Sequence, residues 1–200
     1  VTDTVYVFAR APRLGTVKRR LAAGIGAMAA LRFYRATLAA ALRRLAADRR
    51  FRTVVAVTPD RAGGPWRLGL PVVPQRGGDL GARMDRVARR HRGGRVAIVG
   101  ADIPGLRASD VAAAFRRLRA VHACFGPAED GGYWLVALGA RRPSRPFANV
   151  RWSSPHALAD TLANFAGRSV ALLRRLRDVD TASDLAAIRQ NPDAGDRLHF

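Results

Sequence analysis

Four short segments hold the side chains best suited to chemistry. The segment RAPRLGTVKRRL carries Lys18, the only lysine among the 35 Lys and Arg residues of the chain. An ammonium is a compact point charge on a flexible stem and a guanidinium is a planar fork, so the two do not substitute freely at a phosphate. A single lysine in an arginine-rich chain is explained if position 18 needs an ammonium that reaches between phosphate oxygens. Arg10, Arg13 and Arg20 add charge around it, and Pro12 and Gly15 shape a turn whose backbone N–H groups can face an anion. The Walker pattern G-x-x-x-x-G-K-[ST] is absent. In QRGGDLGARM, Gln75 is followed by Gly77, Gly78 and Gly81, which let backbone approach a ligand closely. The same stretch also reads as a plain strand-to-helix connection with Asp79 as N-cap.

Acids supply the other half of the chemistry. GADIPGL puts Asp102 at the end of an apolar run. A carboxylate beside a phosphate loop is a natural Mg2+ ligand, because Mg2+ is held by one or two carboxylates together with substrate phosphates. Its bland counterpart is an Asp serving the turn before Pro104. GPAEDGGYWLVAL sets Glu129 and Asp130 ahead of Gly131 and Gly132. Asp-Gly signals a hairpin, and two acids entering a hairpin beside a site can also bind a hydroxyl, assist a metal or act as base. Further on, RWSS presents Arg151, Trp152 and Ser153 before a helix. RDVDTASDL carries Asp178, Asp180 and Asp184, with Asp180 a candidate second metal carboxylate and Thr181 or Ser183 a helix cap.

These segments need a frame. Apolar runs at 4–9, 53–58, 70–74, 95–100, 122–126 and 133–138 are β-branched or aromatic and mostly bounded by turn residues, which predicts buried strands. Helical periodicity lies between them. The stretch 28–48 puts Leu31, Tyr34, Leu38, Leu42 and Leu45 on one face, and 80–91 aligns Leu80, Met84 and Val87. The stretch 109–120 opens on a Ser-Asp cap and aligns Val111, Phe115 and Leu118, while 154–167 has Ser154 at the cap, Pro155 in the first turn and Gly167 at the exit. A late strand is expected within 169–180. Strands alternating with helices mean βαβ units and a mostly parallel, doubly wound sheet, whose ligands bind beyond the carboxyl ends of the strands. The expected organisation is one α/β domain over 1–189 and a loosely held tail over 190–200.

Bulk properties narrow the classes. Two hundred residues, 48% of them hydrophobic, suffice for one globular core. The net charge of +20 comes from arginines scattered along the chain in pairs, the pattern of solvated helix faces, and no nucleic-acid motif accompanies it. Cys124 is the single cysteine, so no internal disulfide forms, and in VHACFG it reads as a small core residue. No apolar window reaches the length of a membrane span and the start lacks a signal-peptide pattern, which predicts a cytoplasmic protein.

Taken in order, ARAPRLGTVKRRL, QRGGDLGARM, GADIPGL, GPAEDGGYWLVAL, VRWSS and DVDTASDL resemble a bacterial glycosyltransferase-like family formerly described as a domain of unknown function. Some of its members are assigned to arsenosugar biosynthesis. It belongs to the nucleotide-diphospho-sugar transferase superfamily, with the molybdenum-cofactor and phospholactate guanylyltransferases. The likeness runs over about residues 4–189, and GPAEDGGYW is its most specific element. It implies a Rossmann-like GT-A three-layer sandwich with a mostly parallel central sheet. It implies Lys18 and Arg20 as phosphate contacts and the Gln75 to Gly81 stretch at base and ribose. Asp102 and Asp180 become ligands of Mg2+ or Mn2+. Asp130 becomes the acceptor-side acid, with Glu129, Gly131, Gly132, Tyr133, Trp152 and Ser153 beside it, so Lys18 and Asp130 are the catalytic candidates. Arg10 stands where many relatives have Lys, Arg19 where they have Thr, and ADIP has one acid where many metal-dependent glycosyltransferases carry D-x-D. The implied activity is metal-dependent glycosyl transfer from a nucleotide-diphosphate sugar to a small-molecule acceptor. The alternative is nucleotidyl transfer from a nucleoside triphosphate to a phosphorylated small molecule; nucleic-acid binding ranks third. A homodimer is compatible with either reaction.

Overall fold

The structure is a computed structural model, and it describes residues 2–91 and 94–190. Valine-rich runs build its centre. Strands β1 (Thr4–Arg10), β2 (Arg52–Thr58) and β4 (Val96–Gly100) are buried along nearly their whole length, as parallel strands covered on both faces must be. β3 (Val72–Pro74), β5 (Ala123–Pro127), β6 (Tyr133–Leu138) and β7 (Val170–Leu172) complete a seven-stranded sheet in the order β3-β2-β1-β4-β6-β5-β7. Val7 pairs with Val55 on one side and Val99 on the other, both in parallel register. β6 runs antiparallel to both β4 and β5. The sheet is thus mostly parallel, as the alternation of runs implies.

Six α-helices flank it among the described residues: α1 (Arg19–Ile25), α2 (Ala27–Ala46), α3 (Leu80–Arg89), α4 (Ala108–Arg117), α5 (Ala157–Ala163) and α6 (Ala182–Gln190). The period of two along β1 sends Val5 and Val7 to one face and Tyr6 to the other. The first face packs on Leu31, Leu38, Leu42 and Leu45 of α2 and Phe115 of α4. The second packs on Met84 and Val87 of α3, with Leu158 and Leu162 of α5. The result is the three-layer, Rossmann-like GT-A sandwich. A smaller cluster of Leu21, Phe33, Val179 and Leu185 ties α1 and α2 to α6. It anchors the DVDTASDL segment next to the loop after β1. No helix among the described residues is long and apolar enough to cross a membrane.

Local expectations fail where a side chain is engaged elsewhere. α1 occupies the end of a segment read as loop. α4 starts at Ala108 with Arg107 at the N-cap, and the Asp110 carboxylate accepts the Arg107 N–H at 2.9 Å, so Ser109 is not the cap. α5 starts at Ala157 with His156 at its N-cap. Ser154 donates its hydroxyl to Arg151 O at 2.6 Å and accepts the His156 N–H at 3.3 Å, so it serves the turn that leads into the helix and not the cap itself. Leu80, expected with the core, is 44% exposed, because it stands on the rim of a cleft. Of the expected tail, residues 191–200 lie outside the described residues.

Candidate functional site

β1 and β4 are neighbours, so the loops that leave them open side by side at the carboxyl edge of the sheet. Lys18 ends the first loop. It is the N-cap residue of α1, in the left-handed conformation with φ 48° and ψ 48°. That conformation costs a non-glycine residue about 1–2 kcal/mol. Strain of this sort persists where the surroundings over-determine it, and it clusters at binding sites. The Lys18 side chain is only 4% exposed. Its Nζ lies 2.7 Å from Asp102 Oδ2 and 2.8 Å from Asp180 Oδ1. Three segments remote in sequence therefore meet on one ammonium. Burial presses Lys18 towards its neutral form, but the charges and hydrogen bonds of Asp102 and Asp180 outweigh it and the pKa is raised. An ammonium has three donors; two are taken by the acids and one is left for a ligand. A guanidinium would not fit between two carboxylates so close to one nitrogen, which accounts for the one lysine.

The cleft above this ammonium has two halves. One, of about 290 Å3, is lined by Arg10, Thr16, Lys18, Tyr34, Gln75 and Arg83. The other, of about 260 Å3, is lined by Met84, Asp130, Tyr133, Trp134, Trp152 and Asp178, among others. Phe8, Leu80 and Asp102 belong to both. The first half is basic; the second is aromatic and acidic. A third, open depression of about 650 Å3 adjoins them, lined by Arg20, Glu129, Asp130, Arg177, Asp178 and Asp180.

Not every expected site residue faces this cleft. Arg10 lines the basic half and Arg20 the depression, where its Nη1 is 3.6 Å from Asp180 Oδ2. Arg13 and Gly15 are exposed on the loop, and Gly15 supplies a positive φ for its turn. Gln75 is buried at the basic half, yet its Nε2 donates to Ala56 O at 2.8 Å and Ala9 O at 3.3 Å, so that amide nitrogen stitches β1 to β2. Gly77 and Gly78 give their carbonyls to Arg86 and Arg83. Gly81 is buried in α3, where a Cβ would stand 2.9 Å from Phe147 O and from Trp152 Cζ2; it lets the Trp152 loop close down on the helix. Asp79 caps α3 through the Ala82 N–H at 2.7 Å.

On the opposite side the hairpin between β5 and β6 forms as its Asp-Gly pair demands. Asp130 Oδ1 accepts the Gly132 N–H at 2.8 Å, and Glu129 pairs with Arg177 at 2.6 Å. Gly131 has φ 85°, and a Cβ there would meet Pro155 O at 2.2 Å. The hairpin tip thus docks against the RWSSP loop and brings Tyr133, Trp152 and Ser153 into the second half of the cleft. Ser153, like Lys18, is a non-glycine residue at positive φ.

Among the cleft residues given no role by the motifs, Tyr34 and Asp178 stand out. Tyr34 counted only as helix core, but its hydroxyl donates to Arg10 O at 2.9 Å and accepts the Arg10 N–H at 3.0 Å, pinning the end of β1 at the basic half. Asp178 lines both the acidic half and the depression. Burial, then the charges of Asp130 and Asp180, push its carboxyl up to about 6 against the opposing pull of Lys18. The D-V-D spacing was its signal, since residues two apart in extended chain share a side.

Asp102 and Asp180 present hard oxygen donors that converge on a single cation, and one or two carboxylates plus substrate phosphates is how Mg2+ or Mn2+ is held in nucleotide sites. In this structure that cation is the Lys18 ammonium, so a metal ion could use only the oxygens left over, Asp102 Oδ1 and Asp180 Oδ2. No group of three or more Asp, Glu, His or Cys side chains able to hold a metal occurs among the described residues, so the phosphates of a substrate would have to complete the shell.

Comparison with known proteins bears on the family and the fold. No protein of curated function matches the sequence. A protein of Desulfovibrio desulfuricans assigned as a nucleotide-diphospho-sugar transferase superimposes with a TM-score of 0.87 at 28% identity, over 96% of this chain and 88% of its own. A cytidylyltransferase from Leptospira borgpetersenii shares the fold at 13% identity and a TM-score of 0.61, over 100% and 99% of the two chains. So does glucosyl-3-phosphoglycerate synthase from Mycobacterium tuberculosis, solved with Mn2+, uridine diphosphate and glucosyl-3-phosphoglycerate, at 11% identity and a TM-score of 0.58, over 96% and 77%. The model of the family described as an uncharacterized protein conserved in bacteria, DUF2064, matches residues 38–154. That span includes Asp102, Asp130 and Trp152 and stops short of Lys18 and Asp180 on either side. More than half of the chain follows the family pattern on a fold shared with these transferases, and the protein belongs to the DUF2064 family within the nucleotide-diphospho-sugar transferase superfamily.

Proposed function

We propose that this protein transfers a glycosyl group from a nucleotide-diphosphate sugar to a small acceptor. One observation carries the proposal: a basic and an acidic half-cleft share Asp102, with the buried Lys18 ammonium on the basic side of it. The basic half takes the nucleotide. The free donor of Lys18 meets a diphosphate oxygen, with Arg10 and Arg83 alongside. Preorganised donors aimed at the oxygens where charge develops are usually the largest catalytic term. The acceptor nucleophile enters from the aromatic half and bonds to the anomeric carbon. The bond from that carbon to the diphosphate oxygen breaks, the nucleoside diphosphate leaves with the electron pair, and Asp130 takes the proton of the nucleophile. With Lys18 on Asp102 Oδ2 and Asp180 Oδ1, the other oxygen of each acid would hold a Mg2+ or Mn2+ ion together with the phosphates, and such an ion supplies further neutralisation of diphosphate charge. The assignment of the Desulfovibrio relative and the Mn2+ of the mycobacterial synthase support this choice.

Nucleotidyl transfer is the second reading. At the level of fold the likeness to solved structures backs it better, through cytidylyltransferases such as that of Leptospira. The polarity of the cleft favours the first, because a phosphorylated acceptor needs cations in the half that lacks them. Incubation with nucleotide-sugars and nucleoside triphosphates, with Mg2+ or Mn2+, separates the two by product. Free nucleoside diphosphate marks glycosyl transfer and pyrophosphate marks nucleotidyl transfer. Turnover of neither donor class in the presence of broad acceptor pools refutes both.

A further inference from the structure

The acidic half-cleft stands apart from the rest of the molecule. The chain has 35 Lys and Arg against 15 Asp and Glu, and elsewhere Asp3, Asp48, Asp85, Asp110 and Asp160 each hold an arginine, while Asp60, Asp79 and Asp184 accept from backbone N–H groups. The lining of this half contains Asp102, Asp130 and Asp178 and no lysine, arginine or histidine. Asp102 is neutralised by Lys18. Asp130 and Asp178 form no ion pair among the described residues, and Asp130 commits only Oδ1, to the Gly132 N–H. Arg177 and Arg20 line the adjoining depression with both acids, and they are engaged by Glu129 at 2.6 Å and by Asp180 at 3.6 Å.

Aromatic rings line the same half. Phe8, Tyr133, Trp134 and Trp152 line it, and Tyr133 and Trp152 meet edge to face with centroids 6.4 Å apart and planes at 69°. The Trp134 indole N–H is used on Arg174 O at 3.2 Å, so that ring offers the cavity apolar surface only. Carboxylates without counter-ions beside aromatic faces form a receptor for a positive charge, which the rings attract through their quadrupoles. An anion in the same place meets like charge and is disfavoured. The volume of about 260 Å3 lies at the small end of ligand pockets and suits a metabolite, not a polymer segment.

We propose, resting on the transfer reaction above, that the acceptor is a small molecule with a cationic centre, an amine or a quaternary ammonium, seated between Asp130 and Asp178 and the rings of Tyr133 and Trp152. The test is calorimetric titration of the intact protein with choline, with ethanolamine, with dimethylbutanol as the uncharged carbon isostere of choline, and with glycerol phosphate as the anion. A panel of nucleoside diphosphates with Mn2+ is titrated into the same preparation. Choline or ethanolamine should bind about tenfold more tightly than the isostere, and glycerol phosphate should not bind this half. Asp130→Asn and Asp178→Asn should each bring the cation towards the isostere. Equal binding of cation and isostere, tighter binding of the anion once nucleoside diphosphate fills the basic half, or no binding of either cation to the wild type overturns the inference, and this comparison needs no variant to fold. Nucleoside diphosphate binding without a cation preference removes the inference and leaves the transfer reaction standing. A cation preference without nucleotide binding leaves a cation site and removes both the transfer reaction and the acceptor role.

Discussion

Lys18→Met removes one charge from between two carboxylates and keeps the length and most of the bulk of a side chain that is 4% exposed. Packing is therefore nearly conserved, and the loss is electrostatic. Two charge-assisted hydrogen bonds disappear, at 2.7 and 2.8 Å, and Asp102 and Asp180 are left facing each other. A hydrogen bond to a charged group contributes about 1.5–3 kcal/mol when well shielded. The Asp102 and Asp180 side chains are 36% and 41% exposed and regain water, so the net loss is about 1–3 kcal/mol. For a chain of this size that lowers the melting temperature by about 2–12 °C. Burial opposes the charge on Lys18, but the two acids raise its pKa in the folded state. Its contribution is thus fully present below the ordinary lysine value of about 10.4 and is lost as pH rises through the higher folded value. The stability gap between wild type and variant should hold from neutral pH to about 10 and narrow above. Urea melts at several pH values measure it. Mn2+ should also stabilise the variant more than the wild type, because the ion then takes over the two carboxylates. Equal stability of the two proteins at neutral pH would refute the placement of the ammonium between the acids.

Gly131→Ala forces a Cβ to 2.2 Å from Pro155 O at φ 85°. It should cost more than about 2 kcal/mol in a denaturant titration, while Gly15→Ala, with nothing within 4 Å of the added carbon, should cost about 1 kcal/mol. Tyr34→Phe deletes both bonds that pin Arg10, and it should lower stability by about 1–2 kcal/mol and weaken nucleoside diphosphate binding in calorimetry. Burial pushes the Cys124 thiol up to about 11, with Arg117 opposing, so alkylation at mildly alkaline pH should be slow in the folded protein and fast in denaturant, as mass spectrometry would read.

The frame was legible because its strands are continuous apolar runs that nothing else explains, and the face of α2 because Leu31, Leu38, Leu42 and Leu45 repeat at helical spacing. The hairpin before β6 followed from its Asp-Gly pair. What the motifs concealed was partnership. Lys18 read as a cation waiting for phosphate, and no local pattern says that residues 84 and 162 positions away in the chain supply its counter-ions. The Gln75 amide looked available until the strands it joins were seen to need it. Gly81 resembled a ligand-approach glycine and serves Trp152 instead. Tyr34 has the periodicity of core and the hydroxyl of a site residue, and periodicity reports only the first.

The central claim is that Lys18 meets the phosphates of a nucleotide, and the sequence provides its own probe. Because the chain has one lysine, protein grown on lysine labelled with 15N at Nζ gives a single side-chain nitrogen resonance. That resonance should move when a nucleoside diphosphate binds in the presence of Mg2+ and stay in place with the corresponding nucleoside. A nucleoside diphosphate that binds without moving it, or a nucleoside that moves it equally, would contradict the account.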